Sequence, residues 1–122
     1  MNILVVEDDP IDMKLLCAVL TSDGHLVQEK ISAEDAAEAI SARAPEVILL
    51  DLRLPGMDGL ELTRLLKGDP GTHRIPIVAI TAFPDRFTRG AAFAAGCGAY
   101  ILKPIDTRTL SGLIERAAIA GD

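Results

Sequence analysis

Val47-Ile48-Leu49-Leu50-Asp51 is a run of four apolar residues that stops on a carboxylate, and three other apolar runs end on a charged or hydroxyl residue. Ile3-Leu4-Val5-Val6 leads into Glu7-Asp8-Asp9, Ile77-Val78-Ala79-Ile80 stops at Thr81, and Tyr100-Ile101-Leu102 stops at Lys103-Pro104. Continuous apolar runs of this length read as strands covered on both faces, the habit of parallel sheets. In such a sheet the C-terminal strand ends share one edge, where open α/β folds place their ligands. Carboxylates, a hydroxyl and an amine would therefore converge there from positions as distant as Glu7 and Lys103.

Helical patterns separate the strands, and no long linker intervenes. Asp9 stands as an N-cap before Pro10, a favoured first-turn residue, and Leu15, Leu16, Val19 and Leu20 recur at helical spacing up to Gly24. His25 to Lys30 reads as a short strand. Ser32, with Asp35 three residues on, resembles a capping box with Asp in place of Glu or Gln. The Ala-rich helix it opens, through Ala36, Ala37, Ala39 and Ile40, ends before Pro45. A loop from Leu52 to Asp58 follows Asp51, then a helix through Leu60, Leu62, Leu65 and Leu66, broken by Gly68-Asp69-Pro70-Gly71. The pattern next predicts a helix over Asp85 to Ala95, a turn at Gly96-Cys97-Gly98, and a last helix over Asp106 to Ala118. That helix carries Leu110, Leu113, Ile114 and Ala117 on one face. Five β–α units in succession predict a doubly wound parallel sheet with helices on both faces, in one domain over residues 1–122.

Hydrophobic residues make up 49% of the 122 positions and charged residues 25%, the balance of a globular chain. No apolar run approaches the ~20 residues that span a bilayer, and the N-terminus lacks the basic start and apolar core of a signal peptide. A cytoplasmic location, without membrane attachment, is expected. The net charge of −6, with no cluster of Lys and Arg, argues against direct nucleic-acid binding. Cys17 and Cys97 have no metal-ligand spacing and read as reduced, buried thiols.

Glu7-Asp8, Asp51, Thr81-Ala82 and Lys103-Pro104, with the spacer Leu54-Pro55-Gly56-Met57-Asp58-Gly59, resemble the receiver domains of bacterial response regulators. The resemblance runs from Asn2 to the last helix. The loop from Gly68 to Pro76 and the stretch Thr81-Ala82-Phe83 are most similar to DivK-type single-domain regulators and hybrid-kinase receivers. The resemblance implies a flavodoxin-like five-stranded sheet of order 2-1-3-4-5 and phosphorylation of one aspartate. It also implies a phosphohistidine donor, on a sensor histidine kinase or a histidine phosphotransfer protein. A downstream protein would meet the fourth helix, fifth strand and fifth helix. Such a chain signals, and catalyses only its own phosphorylation and slow dephosphorylation.

Residue chemistry leads the same way. A carboxylate attacking phosphorus meets dense negative charge, which a divalent cation must offset. Glu7 and Asp8 offer hard oxygen ligands suited to magnesium, or to manganese in its place, and Asp51 is the third carboxylate and the expected nucleophile. The resemblance adds the Arg53 backbone carbonyl to the metal shell and makes Asp8 a more direct ligand than Glu7. Asp9 reads as the helix cap. Carboxylates gathered at a buried edge without a cation would repel one another, so a merely structural acidic cluster is a poor alternative. Lys103 can pair with Asp51 or with a phosphoryl oxygen. By resemblance, the Lys103-Pro104 bond is cis and aims the lysine inward. Thr81 either donates its hydroxyl to the phosphoryl group or simply ends a strand; Ala82 beside it leaves the aspartate open to a donor.

Tyr100, the only tyrosine, matches the family's switch aromatic. Movement of Thr81 toward a phosphoryl oxygen would vacate space for its ring, as a population shift. Receivers that hydrolyse quickly carry an amide or carboxylate two residues after the aspartate and two after the threonine. Here those positions are Arg53 and Phe83, neither of which can accept a proton from water, so a long-lived phosphoryl group is expected.

His25 and His73 read as solvent-exposed structural residues. Phe87 and Phe93 read as packing or partner-facing groups on the fourth helix, and Met57-Asp58-Gly59 as a helix entry. Asp12 and Lys14 on the first helix fit a donor-docking face or a solvated one. Three functions stay open: a stand-alone receiver, a receiver segment of a longer hybrid kinase or regulator, and a non-phosphorylated pseudo-receiver that only binds. The Met1 start and the end at Gly121-Asp122 favour the first, and competent residues at the key positions weigh against the third. A small-molecule enzyme is disfavoured, because Glu7-Asp8-Asp9 stands where a glycine-rich phosphate loop would follow the first strand.

Overall fold

The computed structural model, which describes residues 1–120, alternates strands with helices throughout. The elements are β1 (Asn2–Val6), α1 (Pro10–Ser22), β2 (Leu26–Lys30), α2 (Ala33–Ala42), β3 (Val47–Asp51), α3 (Gly59–Lys67), β4 (Ile77–Thr81), α4 (Arg89–Ala95), β5 (Ala99–Leu102) and α5 (Leu110–Ala120). All strand pairs are parallel, in the order β2-β1-β3-β4-β5, which is the flavodoxin-like order expected.

Side chains alternate across a strand, and here both sides are covered. Leu4, Val6, Ile48, Leu50, Ile77 and Ala79 pack against Ala36 and Ile40 of α2, Leu62 and Leu66 of α3, and Ala92 of α4. Ile3, Val5, Val47, Leu49, Val78 and Ile80 pack against Met13, Leu16 and Leu20 of α1 and Leu110 and Ile114 of α5. Each fully buried Leu or Ile contributes about 1.5–3 kcal/mol by leaving water, which is why these runs carry no polar residue until the strand ends. At the two edge strands the pattern loosens, with Leu26, Gln28 and Glu29 of β2 exposed and, in β5, Ala99 to Ile101 half-buried and Leu102 exposed.

Local chemistry sets the helix starts. The Asp9 carboxylate accepts from the backbone of Ile11 and Asp12 at 2.9 and 3.0 Å, so it caps α1 as read. Ser32 Oγ accepts from Asp35 N at 3.1 Å, and the Asp58 carboxylate accepts from Glu61 N at 2.9 Å. α4 begins at Arg89, four residues later than its sequence pattern predicts. Thr88 Oγ1 takes Ala91 N at 3.1 Å and caps the helix there, while the Phe83 carbonyl closes a turn onto Arg86 N and Phe87 N. Phe87 therefore precedes α4 and is buried, and Phe93 lies on it, exposed. α5 likewise starts at Leu110, after a turn in which the Asp106 carbonyl accepts from Thr109 and Leu110. Of its expected apolar face, Leu110, Ile114 and Ala117 are buried and Leu113 is half-buried.

His25 is buried, contrary to the exposed role expected of it. Its Nδ1 lies 3.0 Å from the Met1 amine and its Nε2 lies 3.0 Å from Glu115 Oε1, so the chain start and α5 close over the ring. His73 is exposed in its loop, as read. Cys97 is buried and Cys17 half-buried, both as free thiols. Among the described residues no helix is long and apolar enough to cross a membrane.

Candidate functional site

The strand register sets the site. Asp51 at the end of β3 pairs with Ile80, and Thr81 at the end of β4 pairs with Leu102, leaving Lys103 one residue beyond β5. Glu7 follows β1 directly and holds its backbone in register through Glu7 N to the Lys30 carbonyl at 3.0 Å. α3 can start close under this edge only because residue 59 is glycine: a Cβ there would lie 2.7 Å from the Asp51 carbonyl oxygen and 2.7 Å from Leu52 Cα. Both obstacles are backbone, so neither can swing away. Gly59 N instead donates to the Leu52 carbonyl at 2.9 Å.

Lys103 is the hub. Its Nζ donates to Glu7 Oε1 at 2.6 Å, Asp51 Oδ2 at 2.8 Å and Asp12 Oδ2 at 2.9 Å. The Lys103-Pro104 peptide is cis, and the ammonium points into the site. Burial opposes its charge, but the bonds to Asp51, Glu7 and Asp12 win and hold its pKa above the ordinary lysine value. Glu7 is 1% exposed and Asp51 4%. Burial first, and then the hydrogen bond to Asp51, push the Glu7 carboxyl up to about 8, against the lowering effect of Lys103. Asp51 Oδ1 accepts from Arg53 N at 2.8 Å, and Glu7 Oε2 accepts from Asp9 N at 3.2 Å.

Carboxylate oxygens of Glu7, Asp8 and Asp51 lie within 4.8 Å of one another, Asp8 exposed and the other two buried. Hard oxygens at this spacing, with one ammonium already shared among the buried pair, fit a magnesium-like cation that keeps part of its water shell. Thr81 is fully buried, and its Oγ1 accepts from Phe83 N at 2.9 Å. Ala82 is exposed beside it. The Arg53 guanidinium lies 4.5 Å from the centre of the Phe83 ring, a cation–π contact across the mouth of the site. The cleft has a volume of about 610 Å³ and is lined by Glu7, Asp8, Asp12, Asp51, Arg53, Ala82, Phe83, Arg86 and Lys103, with Thr81, the residue before Ala82, buried. A second cleft, of about 580 Å³ between β2 and α2, contains none of Glu7, Asp8, Asp51, Thr81 and Lys103.

Tyr100 stands apart from this cluster. Its ring is half-buried against the α4 side of the sheet, and its hydroxyl donates to the Phe87 carbonyl. The residue that sequence reasoning missed is Asp12, read as a docking or solvated position. It reaches Lys103 from 91 residues away, and its only sequence signal was a place one turn into a helix that starts directly after the acidic strand end.

The family model described as "Response regulator receiver domain" matches residues 3–115. The response regulator PleD of Caulobacter vibrioides is 39% identical over 105 residues, which are 86% of this chain and 23% of PleD, so the chain spans under a quarter of that relative. The polar-differentiation response regulator DivK of Brucella abortus is 35% identical over 104 residues, 85% of each chain. Among solved structures, the receiver domain of a sensor histidine kinase from Pseudomonas aeruginosa PAO1 superposes with a TM-score of 0.88 at 31% identity, covering 96% of both chains. That crystal structure has a magnesium ion coordinated in its active-site cleft.

Proposed function

Because this chain belongs to the response regulator receiver domain family, we propose that Asp51 is its phosphoryl acceptor, charged by a phosphohistidine on a sensor kinase or phosphotransfer protein. The observation that carries this reading is the convergence of Asp51, Lys103, Glu7 and Asp8 in one cleft, at the sheet edge where Thr81 ends β4. Glu7, Asp8, Asp51 and the Arg53 backbone carbonyl would hold magnesium, or manganese in its place. The cation supplies positive charge against the transferring phosphoryl group.

The chain's own groups do the rest. One Asp51 carboxylate oxygen attacks phosphorus, the new O–P bond forms as the donor P–N bond breaks, and the electron pair stays on the imidazole nitrogen. Lys103 supplies charge-assisted hydrogen bonds to the phosphoryl oxygens. Thr81 Oγ1, which accepts from Phe83 N, keeps its own proton free to donate to the phosphoryl group. Movement of Thr81 would be felt by Tyr100 across the β4–β5 pair, and through its hydroxyl by the turn ahead of α4. The α4–β5–α5 face then becomes the contact for a downstream protein, and exposed Phe93 and Leu102 supply its apolar part. Arg53 stacked on Phe83 offers no base to the attacking water, which supports a long-lived phosphoryl group.

The same reading makes residues 1–122 one receiver domain working in the cytoplasm, without direct nucleic-acid contact. Matching 85% of DivK supports a stand-alone receiver; matching 23% of PleD supports the second reading, a segment of a longer regulator. Intact mass after incubation with acetyl phosphate tests the acceptor chemistry. One phosphoryl group should be gained with magnesium and none without it, and none by Asp51→Asn. A wild type left unmodified by this donor and by phosphohistidine donors would overturn the proposal in favour of a binding-only receiver.

A further inference from the structure

Every N–H of the Lys103 ammonium is already taken. Its partners are Glu7 Oε1 at 2.6 Å, Asp51 Oδ2 at 2.8 Å and Asp12 Oδ2 at 2.9 Å. A lysine has three donors and no more, so a phosphoryl oxygen on Asp51 gains a bond from Lys103 only if one carboxylate lets go. The three are not equally able to do so. Glu7 is sealed from water at 1% side-chain exposure, and Asp51 would itself carry the phosphoryl group. The Asp12 side chain is 33% exposed, so water can take the lysine's place there.

Asp12 is also free of other duties. It lies in the first turn of α1, where unpaired backbone N–H groups favour a carboxylate, yet the capping itself is done by Asp9. Its carboxylate instead spans to the residue after β5, and it is the only link from α1 to Lys103 among the described residues.

We propose that Asp12 is a positioning residue that holds the Lys103 ammonium in the unphosphorylated site and releases it to a phosphoryl oxygen, an inference that rests on Asp51 as acceptor. In holding the ammonium, Asp12 opposes the phosphorylated state twice. It occupies the N–H that the phosphoryl group needs, and it adds negative charge beside an incoming anion. Removing it therefore improves binding of a phosphoryl group, where removal of a merely structural contact would loosen the site.

The test uses the full chain at saturating magnesium for each variant. The affinity for beryllofluoride, a phosphoryl mimic, and the rate of phosphorylation by acetyl phosphate are measured. Asp12→Ala should bind the mimic and react roughly three- to tenfold better than wild type. Asp12→Asn keeps an oxygen for the lysine but loses the charge, and should shift both readouts the same way by a smaller factor. It also serves alone if the alanine variant does not fold. Affinity and rate within twofold of wild type, or lower in both variants, overturn the proposal while leaving Asp51 as acceptor. A wild type that takes up no phosphoryl group overturns the acceptor reading, and this inference with it.

Discussion

Replacing Lys103 by Met keeps a long apolar stem and deletes an ammonium bonded to Glu7, Asp12 and Asp51. Glu7 and Asp51, at 1% and 4% exposure, would stay buried side by side without their cation. Deleting one partner of a buried pair costs about 3–5 kcal/mol. The Asp12 contact adds little, because pairs open to solvent are worth about 0–1 kcal/mol. A larger loss is expected at pH 8 than at pH 6, since Glu7 holds a proton at the lower pH. Its carboxyl is already pushed up to about 8 from an ordinary 4.5, chiefly by burial, and Lys103 is what lowers it. The sign follows. Between about 4.5 and about 8 the folded site binds a proton that the unfolded chain has released, so metal-free stability falls as pH rises through that window. In the variant, which lacks the lowering effect of Lys103, the fall continues to higher pH. Magnesium bound by Glu7, Asp8 and Asp51 restores positive charge and should recover most of the loss. Urea denaturation followed by circular dichroism, at both pH values with and without magnesium, gives the numbers if the m-value stays constant. A deficit under about 1 kcal/mol, or one indifferent to both pH and magnesium, would refute the charge argument, because only an exposed lysine behaves so.

Arg53→Asn combined with Phe83→Glu places proton acceptors beside the attacking water and should shorten the aspartyl-phosphate lifetime roughly tenfold or more, read as decay on Phos-tag gels; an unchanged rate refutes the account of Arg53 and Phe83. Gly59→Ala drives a Cβ to 2.7 Å from the Asp51 carbonyl and Leu52 Cα. It should cost about 1–3 kcal/mol in a thermal melt and slow phosphorylation as well, because the atoms displaced carry the nucleophile. Asp9→Ala removes the bonds to Ile11 N and Asp12 N and should cost about 1 kcal/mol of stability. Its magnesium affinity by calorimetry should stay within about twofold of wild type, and a collapse would make Asp9 a ligand instead of a cap.

Much of the fold can be read from the chain because the strands obey a local rule. Val47–Leu50 and Ile77–Ile80 are apolar at every position, which only a sheet covered on both faces requires, and the charged or hydroxyl residue ending each run marks the C-terminal edge of the sheet, where the site forms. Caps are legible where one side chain has one job, as at Asp9 and Ser32. Where two caps competed, the pattern misled. Asp85 and Thr88 both suit a helix start, and Thr88 prevails because the Phe83 carbonyl commits the intervening residues to a separate turn. Contacts between distant residues left no local trace. His25 looks like a loop residue until the Met1 amine and Glu115 close over it, and Asp12 looks solvated until Lys103 arrives from β5. A lone polar residue in a helix has no periodicity to reveal what it faces, so its partner is visible only in three dimensions.

Chemical trapping locates the phosphoryl group, which is proposed to sit on Asp51. Borohydride reduces an acyl phosphate to the alcohol, so protein phosphorylated in magnesium, quenched with borohydride and digested should contain homoserine at position 51. Its yield should fall to background without magnesium. Homoserine at Asp8, Asp9 or Asp12, with none at position 51, would contradict the account and move the nucleophile to the loop after β1.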